Sequence, residues 1–289
     1  MVRLRDGFQP VQEGRIVRAL DPASLSPADR MEVDYYRGIR EDKGETGFFD
    51  LLLDKSDFIR VFQLLAGRLE VEPGMEVLEL GAGQGWASCL VKRLQPAARV
   101  TAADISCEAL LYAERYERLL GVILDGIWEC SVGNLPFAGG QFDRVFAFAS
   151  LHHFGRDRDY SAILGEVARL LRPGGRAVFL YENAAPGWIL PLVRWRARRE
   201  MKGRVEEDVL NIPHLRSACG KLGCRAEVEY WPHPRFRVTA PATLYMACLS
   251  RLRFLAPLLP CTVNLTVFKD REIDYNGGSD PLIGHGRRA

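Results

Sequence analysis

The chain of 289 residues lacks several features that often define a protein class at once. Its seven cysteines are odd in number and include no Cys-x-x-Cys pair, and no nearby His or Cys completes a metal site around Cys219 and Cys224. We therefore expect reduced thiols and no bound metal. The first residues lack the apolar core of a signal peptide, and no uncharged run reaches membrane-spanning length. These absences predict a cytoplasmic protein.

Strong charge of either sign is also missing, since 39 Lys and Arg residues face 37 Asp and Glu residues for a net charge of +2. Such a balance argues neither for nor against nucleic acid as a partner. However, no basic segment with interleaved aromatic residues suggests an RNA-binding module. The apolar content of 47% permits a sizeable core at this length. We expect a small-molecule partner rather than nucleic acid, and the oligomeric state stays open.

The most informative segment reads Val-Leu-Glu-Leu-Gly-Ala-Gly-Gln-Gly at residues 77–85. A short apolar run of strand type is followed by Gly81, Gly83 and Gly85, which allow a sharp turn and a close approach of the backbone to a ligand. Glu79 adds a carboxylate near the end of a buried strand, where an anion is costly unless a cation meets it. This element favours a nucleotide-like ligand that carries positive charge.

Apolar runs of strand type alternate with helical stripes along the rest of the chain. Seven strands are predicted near residues 77–80, 99–103, 126–132, 143–151, 177–181, 226–230 and 262–268. The alternation predicts a parallel sheet covered on both faces, with ligands at the carboxyl ends of its strands. Before the sheet, Ser56 is expected to cap a helix that carries an apolar stripe over residues 58–69.

Six ordered segments resemble the class I S-adenosylmethionine-dependent methyltransferases, in particular the small-molecule, type 11-like group. They are Glu79–Gly85, Asp104, Gly133–Phe137, Phe142-Asp143, His152-His153 and Leu171–Gly175. The resemblance covers residues 70–270 and implies a doubly wound, Rossmann-like α/β fold. Its sheet would have seven strands in the order 3-2-1-4-5-7-6, with the last strand antiparallel. S-adenosyl-L-methionine is the implied cofactor.

A dinucleotide such as NAD is the alternative ligand for a glycine turn of this kind. The carboxylate of Glu79 would repel the pyrophosphate of NAD, whereas S-adenosylmethionine carries an ammonium and a sulfonium. The dinucleotide fingerprint also requires its third glycine one position later, where this chain has Trp86. Both observations favour the methyl donor.

The resemblance implies donor-binding roles for residues at the ends of the first four strands. Asp104 would accept hydrogen bonds from the ribose hydroxyls, and Glu79 would face the ammonium. Asn134 stands where the family often has Asp, which keeps an acceptor oxygen but removes the charge. The residues expected to contact the donor are Glu79, Gly81, Ala82, Gly83, Gly85, Asp104, Ile105, Asn134, Leu135 and Ala149.

His152 and His153 follow the fourth strand, where an acceptor molecule would lie. An imidazole is a reasonable general base near neutral pH, and His153 is slightly favoured. The alternative, that one histidine caps the next turn and packs, stays open. The fourth strand ends in Ala-Ser-Leu rather than Asp/Asn-Pro-Pro-Tyr, which argues against amino methylation of adenine or glutamine.

The implied reaction is methyl transfer to a small-molecule acceptor, with an oxygen acceptor favoured. One alternative is a C-methyltransferase for a quinone or lipid-linked acceptor at a membrane surface. Another is a non-catalytic, donor-binding partner of a second enzyme.

Three further regions surround the expected methyltransferase domain. Residues 1–69 are expected to form a helical extension or lid, and residues 271–289 a disordered tail. Residues 183–212 are expected to form an acceptor-side insertion, in which tryptophans adjoin clustered arginines. Its basic helical face comprises Arg194, Arg198 and Lys202. This face suits an anionic or lipid-linked acceptor or peripheral membrane contact, or else is a solvated face paired with the acids of residues 200–208.

Overall fold

A computed structural model describes residues 2–43, 47–154, 160–200, 208–234 and 239–270. These residues form a single nine-stranded sheet in the order β1-β2-β5-β4-β3-β6-β7-β9-β8. The strands are β1 (Val11–Glu13), β2 (Ile16–Arg18), β3 (Glu76–Leu80), β4 (Arg99–Asp104), β5 (Gly126–Glu129), β6 (Phe142–Phe148), β7 (Leu171–Ala184), β8 (Cys224–Tyr230) and β9 (Cys261–Lys269).

The seven strands from β3 to β9 reproduce the predicted order. Counted from β3, the sequence β5-β4-β3-β6-β7-β9-β8 is 3-2-1-4-5-7-6. The pairs among β5, β4, β3, β6 and β7 are parallel, and β9 is antiparallel to both of its neighbours. The prediction of a Rossmann-like α/β fold is therefore confirmed.

The strand count of seven is wrong because β1 and β2 form a hairpin that extends the sheet beside β5. Each of these strands has only three residues, which is too short for a recognisable alternation, and the side chains of β1 are exposed. Gly14, with φ +60°, starts the two-residue loop between them. Arg18 anchors the hairpin, since its Nε lies 2.5 Å from Glu129 Oε2 on β5.

Ten α-helices occur in the part of the chain that the structure describes. They are α1 (Pro27–Lys43), α2 (Gly47–Leu65), α3 (Trp86–Leu94), α4 (Cys107–Leu110), α5 (Ala113–Leu120), α6 (Leu151–Phe154), α7 (Ser161–Leu170), α8 (Leu190–Glu200), α9 (Ile212–Lys221) and α10 (Ala240–Arg251). Adjacent strand residues such as Val77 and Leu78 enter two separate apolar clusters. This alternation shows that both faces of the sheet are covered. None of the described helices is long and apolar enough to cross a membrane.

The N-terminal extension is not purely helical, because it includes the β1–β2 hairpin. Ser56 also lies inside α2 rather than at its start, so the predicted cap is wrong. A cap residue is recognised only by its local type, and here the helix continues through it from Gly47. The extension packs closely on the sheet, since Val61, Phe62 and Leu65 of α2 are almost completely buried.

Several strand boundaries also differ from the predictions. The fourth predicted strand ends at Phe148 rather than near Leu151, because Ala149 has φ +50° and α6 begins two residues later. The fifth begins earlier, at Leu171, with an irregular register before Arg176. The predicted tail, 271–289, lies outside the described residues, as do residues 201–207 of the predicted insertion.

Candidate functional site

The glycine turn after β3 has a conformation that only glycine adopts readily. Gly81, Gly83 and Gly85 have φ values of +66°, +52° and +74°. A Cβ on Gly81 would lie 2.8 Å from Phe154 Cζ, and one on Gly85 would lie 2.9 Å from Ala113 Cβ. Ala82 N donates to Ala103 O, which fixes the turn to β4. The glycines are thus required both by the backbone and by close packing.

Tyr36 of α1 lies over this turn. Its hydroxyl oxygen would be 3.3 Å from a Cβ on Gly83. Burial, together with the nearby carboxylates of Asp104 and Glu32, raises the pKa of Tyr36 well above its usual range. The hydroxyl is therefore neutral, and α1 forms one wall of the space beside the glycine turn.

Glu79 is a buried carboxylate that lies behind the turn. Its Oε2 accepts hydrogen bonds from Ser88 N at 2.8 Å and from Ser88 Oγ at 2.5 Å. No Lys or Arg among the described residues forms an ion pair with it. Burial raises the pKa of Glu79 to about 8, and the nearby Asp104 carboxylate acts in the same direction. A cation placed near Glu79 would offset this cost.

Asp104, at the end of β4, connects the turn to the next loop. Its Oδ2 accepts from Gly83 N at 2.7 Å, and its Oδ1 accepts from Ser106 N at 2.8 Å. Burial raises the pKa of Asp104 above its usual range, and these backbone donors partly offset the rise. The predicted pair of acids, Glu79 and Asp104, is therefore brought together at one sheet edge.

The donor-contact residues predicted after β4 and β5 are placed less uniformly. Ile105 is half-buried directly after Asp104, and Asn134 is exposed in the loop that follows β5. Leu135 is fully buried, and its N–H points to Glu166 Oε2 at 3.4 Å. The N–H group and the side chain of Leu135 are thus both engaged within the protein, and its donor contact stays a prediction.

Glu182, near the end of β7, organises the opposite side of the site. It is fully buried, and its Oε1 accepts from the N–H groups of Ser150 and Leu151 at 3.0 and 2.9 Å. Its Oε2 lies 2.7 Å from His152 Nδ1. The carboxylate therefore holds the first turn of α6 and fixes one imidazole. Sequence reasoning missed Glu182, although a carboxylate at the end of an apolar strand was the signal used for Glu79.

The two predicted histidines have different surroundings. His152 is buried against Glu182, whereas the side chain of His153 is 23% exposed. His153 Nδ1 lies 3.1 Å from Glu32 Oε1 of α1, so a carboxylate from the N-terminal extension reaches it. The structure thus gives His153 the more accessible position, and it gives His152 a positioning partner inside the fold.

Strained backbone marks the same edge of the sheet. Ala149 and Tyr181 are non-glycine residues with positive φ, at +50° and +60°. The Tyr181 ring stacks on Phe148 with ring centres 5.7 Å apart, and Trp231 makes an edge-to-face contact with Tyr181 at 6.0 Å between ring centres. Aromatic side chains therefore line the ends of β6 and β7. Sequence reasoning did not identify this cluster.

The basic face of the predicted insertion is only partly described. Arg194 Nε lies 2.7 Å from Asp208 Oδ1, and both side chains are largely buried. Tyr160 also donates to Asp208 from its hydroxyl. Arg194 is thus a paired structural residue. The side chain of Arg198 and the whole of Lys202 lie outside the described residues.

The chain is similar to known methyltransferases. Residues 78–179 match a family model described as a methyltransferase domain. A fatty-acid O-methyltransferase of Mycolicibacterium smegmatis is 32% identical over 134 residues, which are 46% of this chain and 45% of that protein. The ubiquinone/menaquinone biosynthesis C-methyltransferase UbiE of Desulfotalea psychrophila is 38% identical over 130 residues, 44% of this chain and 50% of that protein. The chain thus spans about half the length of these curated relatives.

Residues 78–179 thus match a methyltransferase domain. The fold agrees, because the crystal structure of geranyl diphosphate C-methyltransferase from Streptomyces coelicolor aligns with a TM-score of 0.62. That alignment has 14% identity and covers 85% of this chain and 99% of the other.

The matched part of the methyltransferase domain contains both acids, the glycine turn and the two histidines. Three groups that complete the site lie outside it: Glu32 and Tyr36 from the N-terminal extension, and Glu182 from the end of β7. The extension therefore contributes directly to the site of the methyltransferase domain.

Proposed function

We propose that this chain is a methyltransferase that binds S-adenosyl-L-methionine beside the glycine turn and acts on a small-molecule acceptor. The observation that carries the proposal is the pair of buried carboxylates, Glu79 and Asp104, at the carboxyl ends of adjacent strands. Neither acid has an internal cationic partner among the described residues. A ligand with both a cationic group and a pair of ribose hydroxyls fits this arrangement.

The chemistry of the donor set supports S-adenosylmethionine over a dinucleotide. A cationic ligand would stabilise the ionised form of Glu79 and lower its raised pKa, whereas a pyrophosphate would make ionisation still less favourable. Asp104 keeps carboxylate lone pairs beyond its two backbone donors, so it can also accept from ribose hydroxyls. When bound, S-adenosylmethionine supplies a methyl group already activated by its sulfonium. What this chain adds is alignment, exclusion of water and handling of the acceptor proton.

His153 is the proposed general base. Its Nδ1 faces Glu32, which leaves Nε2 to take a proton from an acceptor hydroxyl. Glu32 would orient the ring and stabilise the imidazolium that forms. His152 acts as a positioning residue in this scheme, because Glu182 fixes its ring and the first turn of α6.

An oxygen acceptor on an apolar small molecule is the favoured substrate class. An imidazole beside a carboxylate suits removal of a proton from a hydroxyl, and the aromatic cluster around Phe148, Tyr181 and Trp231 suits an apolar body. The second candidate is methylation of a ring carbon on a quinone-like acceptor. It is favoured by the 38% identity to a protein named as a quinone C-methyltransferase.

The donor site is tested by calorimetry with S-adenosylhomocysteine. We expect Asp104→Asn to weaken binding by about 1.5–3 kcal/mol, the range for hydrogen bonds to a charged group. The matched control is Glu114→Gln, an exposed acid on α5, which should bind as the wild type does. Unchanged affinity in a folded Asp104→Asn protein would refute the ribose assignment.

Activity is tested by incubating the protein with the methyl donor and either a fatty acid, an aromatic alcohol or a demethylated quinol. Mass spectrometry then shows whether a methyl ester, a methyl ether or a ring methyl group forms. Donor binding without transfer to any acceptor class would favour the non-catalytic alternative.

A further inference from the structure

An exposed apolar surface lies on the two segments that flank the junction of β7 and β9. On the first segment, Trp188 is 69% exposed, and Leu192 and Trp195 follow at spacings of four and three residues. Leu192 and Trp195 are three residues apart on α8, a spacing that places side chains on one face of a helix, and Trp188 lies in the turn just before α8. On the second segment, Phe254 is 73% exposed, and Leu258 is also exposed. We call these five residues the Trp–Phe surface.

The two segments are physically joined. Trp188 Nε1 donates to Leu258 O at 3.1 Å, which links the start of α8 to the 3₁₀ turn after α10. Trp188 is therefore held in place while most of its ring remains in solvent. Large exposed apolar side chains that form one group, rather than occurring singly, mark an interaction site.

The two segments that carry the Trp–Phe surface contain basic and no acidic residues, although Glu229 of β8 lies near Arg253. Residues 183–199 and 231–269 contain no Asp or Glu, although the chain as a whole is almost neutral. Arg251 and Arg253 are exposed beside Phe254, and Arg199 Cζ lies 4.8 Å from the centre of the Trp195 ring. The surface therefore combines tryptophan and phenylalanine rings with guanidinium groups.

The surface lies at the edge of the sheet that carries the site. Ala184, the last residue of β7, pairs with Cys261, the first residue of β9. The segment after β7 therefore begins, and the segment before β9 ends, close to Glu182 and Tyr181. An apolar acceptor taken up at this surface would have a short path to the aromatic cluster.

We propose that the Trp–Phe surface docks the protein onto an anionic lipid bilayer. Tryptophan and phenylalanine insert at the boundary between headgroups and acyl chains, and arginines are attracted to anionic lipid. A second copy of this chain fits less well, because a two-fold interface would bring the same acid-free, arginine-bearing segments together. The delivery of an apolar acceptor from the bilayer rests on the proposed function, whereas docking itself does not.

The test is flotation of the full chain with vesicles of phosphatidylcholine alone or with added phosphatidylglycerol. We expect the protein to float with the anionic vesicles and to be released by high salt. Trp195→Glu and Phe254→Glu should each lower the partition coefficient by about tenfold or more. The matched control is Ile123→Glu, because Ile123 is 70% exposed but precedes β5, in the opposite half of the sheet from β7 and β9.

Failure of the wild type to float, or equal flotation of the surface variants and the wild type, would overturn docking. So would a protein dimer that the same variants dissociate, since the surface would then be an interface between copies. Binding of S-adenosylhomocysteine, measured on the same samples, separates the two proposals. Flotation without binding of S-adenosylhomocysteine would refute the proposed function and leave docking intact. Binding of S-adenosylhomocysteine without flotation would refute docking and leave the proposed function intact.

Discussion

Three buried carboxylates lie at one edge of the sheet, and they differ in how far hydrogen-bond donors offset the cost of their burial. Glu182 accepts from three backbone N–H groups and faces an imidazole, and Asp104 accepts from two backbone N–H groups. Among the residues that the structure describes, Glu79 accepts hydrogen bonds from Ser88 alone, through its N–H and its hydroxyl. Of the three, Glu79 is thus the acid that depends most on a ligand for its compensation.

The ligand-free protein should therefore lose stability as Glu79 ionises. Its folded pKa of about 8 lies above the ordinary value of 4.5, so the folded state retains the proton longer than the unfolded state. The free energy of unfolding then falls as pH rises from the unfolded pKa to about 8. Glu79→Gln abolishes this dependence. The free energy of unfolding of the variant, relative to that of the wild type, should therefore rise by on the order of 3 kcal/mol between pH 5 and pH 8.

Urea unfolding of both proteins at pH 5 and pH 8 measures this change. The comparison between the two proteins cancels the titration of the histidines, which both contain. A stability difference that is the same at both pH values would show that Glu79 is ionised throughout the range.

At the scale of single residues, the site residues that the sequence predicts share one property. Each was identified from the residues next to it along the chain. Glu79 adjoins the glycines, and Asp104 ends the next strand. Glu182 and Glu32 gain their roles only from contacts made in the folded structure, with α6 and with His153. Sequence periodicity carries no information on which side chains such distant elements bring together.

The helices α1 and α6 meet at the contact between Glu32 and His153. Tyr36, one turn further along α1, lies over Gly83 of the glycine turn. One helix thus reaches both the predicted donor site and the predicted base. This geometry makes α1 a cover whose position decides whether His153 has its carboxylate partner.

Glu32→Gln should lower kcat by about tenfold to a hundredfold, because the variant cannot stabilise the imidazolium of His153. The affinity for S-adenosylhomocysteine should change by less than about twofold, which corresponds to a change of less than about 0.5 kcal/mol in the free energy of binding. Asp34→Asn is the matched control, because Asp34 lies on the same helix and pairs only locally with Arg37. Equal kcat values for both variants would remove Glu32 from the mechanism.

At the scale of elements, the seven strands of the main sheet were predictable because each combines an apolar run with a helix of clear periodicity beside it. The β1–β2 hairpin was not, since three-residue strands carry almost no pattern and depend on ion pairs such as Arg18 with Glu129. The start of α2 was also missed, because Ser56 resembles a cap but lies within a continuous helix.

At the scale of the molecule, the N-terminal extension and the methyltransferase domain share one core. Phe62 of α2 is fully buried, with its ring centre 5.6 Å from that of Trp86 and 5.3 Å from that of Phe148. Both partners stand next to the site: Trp86 begins the helix after the glycine turn, and Phe148 ends β6. Removing the extension would therefore expose the core under the site.

Phe62→Ala should lower the free energy of unfolding by about 3–5 kcal/mol, the range for loss of a buried phenylalanine. Leu64→Ala on the same helix is the matched control and should cost less than about 1 kcal/mol, because Leu64 is 50% exposed. Because the core is shared, unfolding followed by tryptophan fluorescence and by circular dichroism should give one coincident transition in both variants. If Phe62→Ala instead produced an early transition of α1 and α2 alone, residues 1–69 would be a separately folding unit. Glu32 and Tyr36 would then belong to a detachable cover rather than to the body of the enzyme.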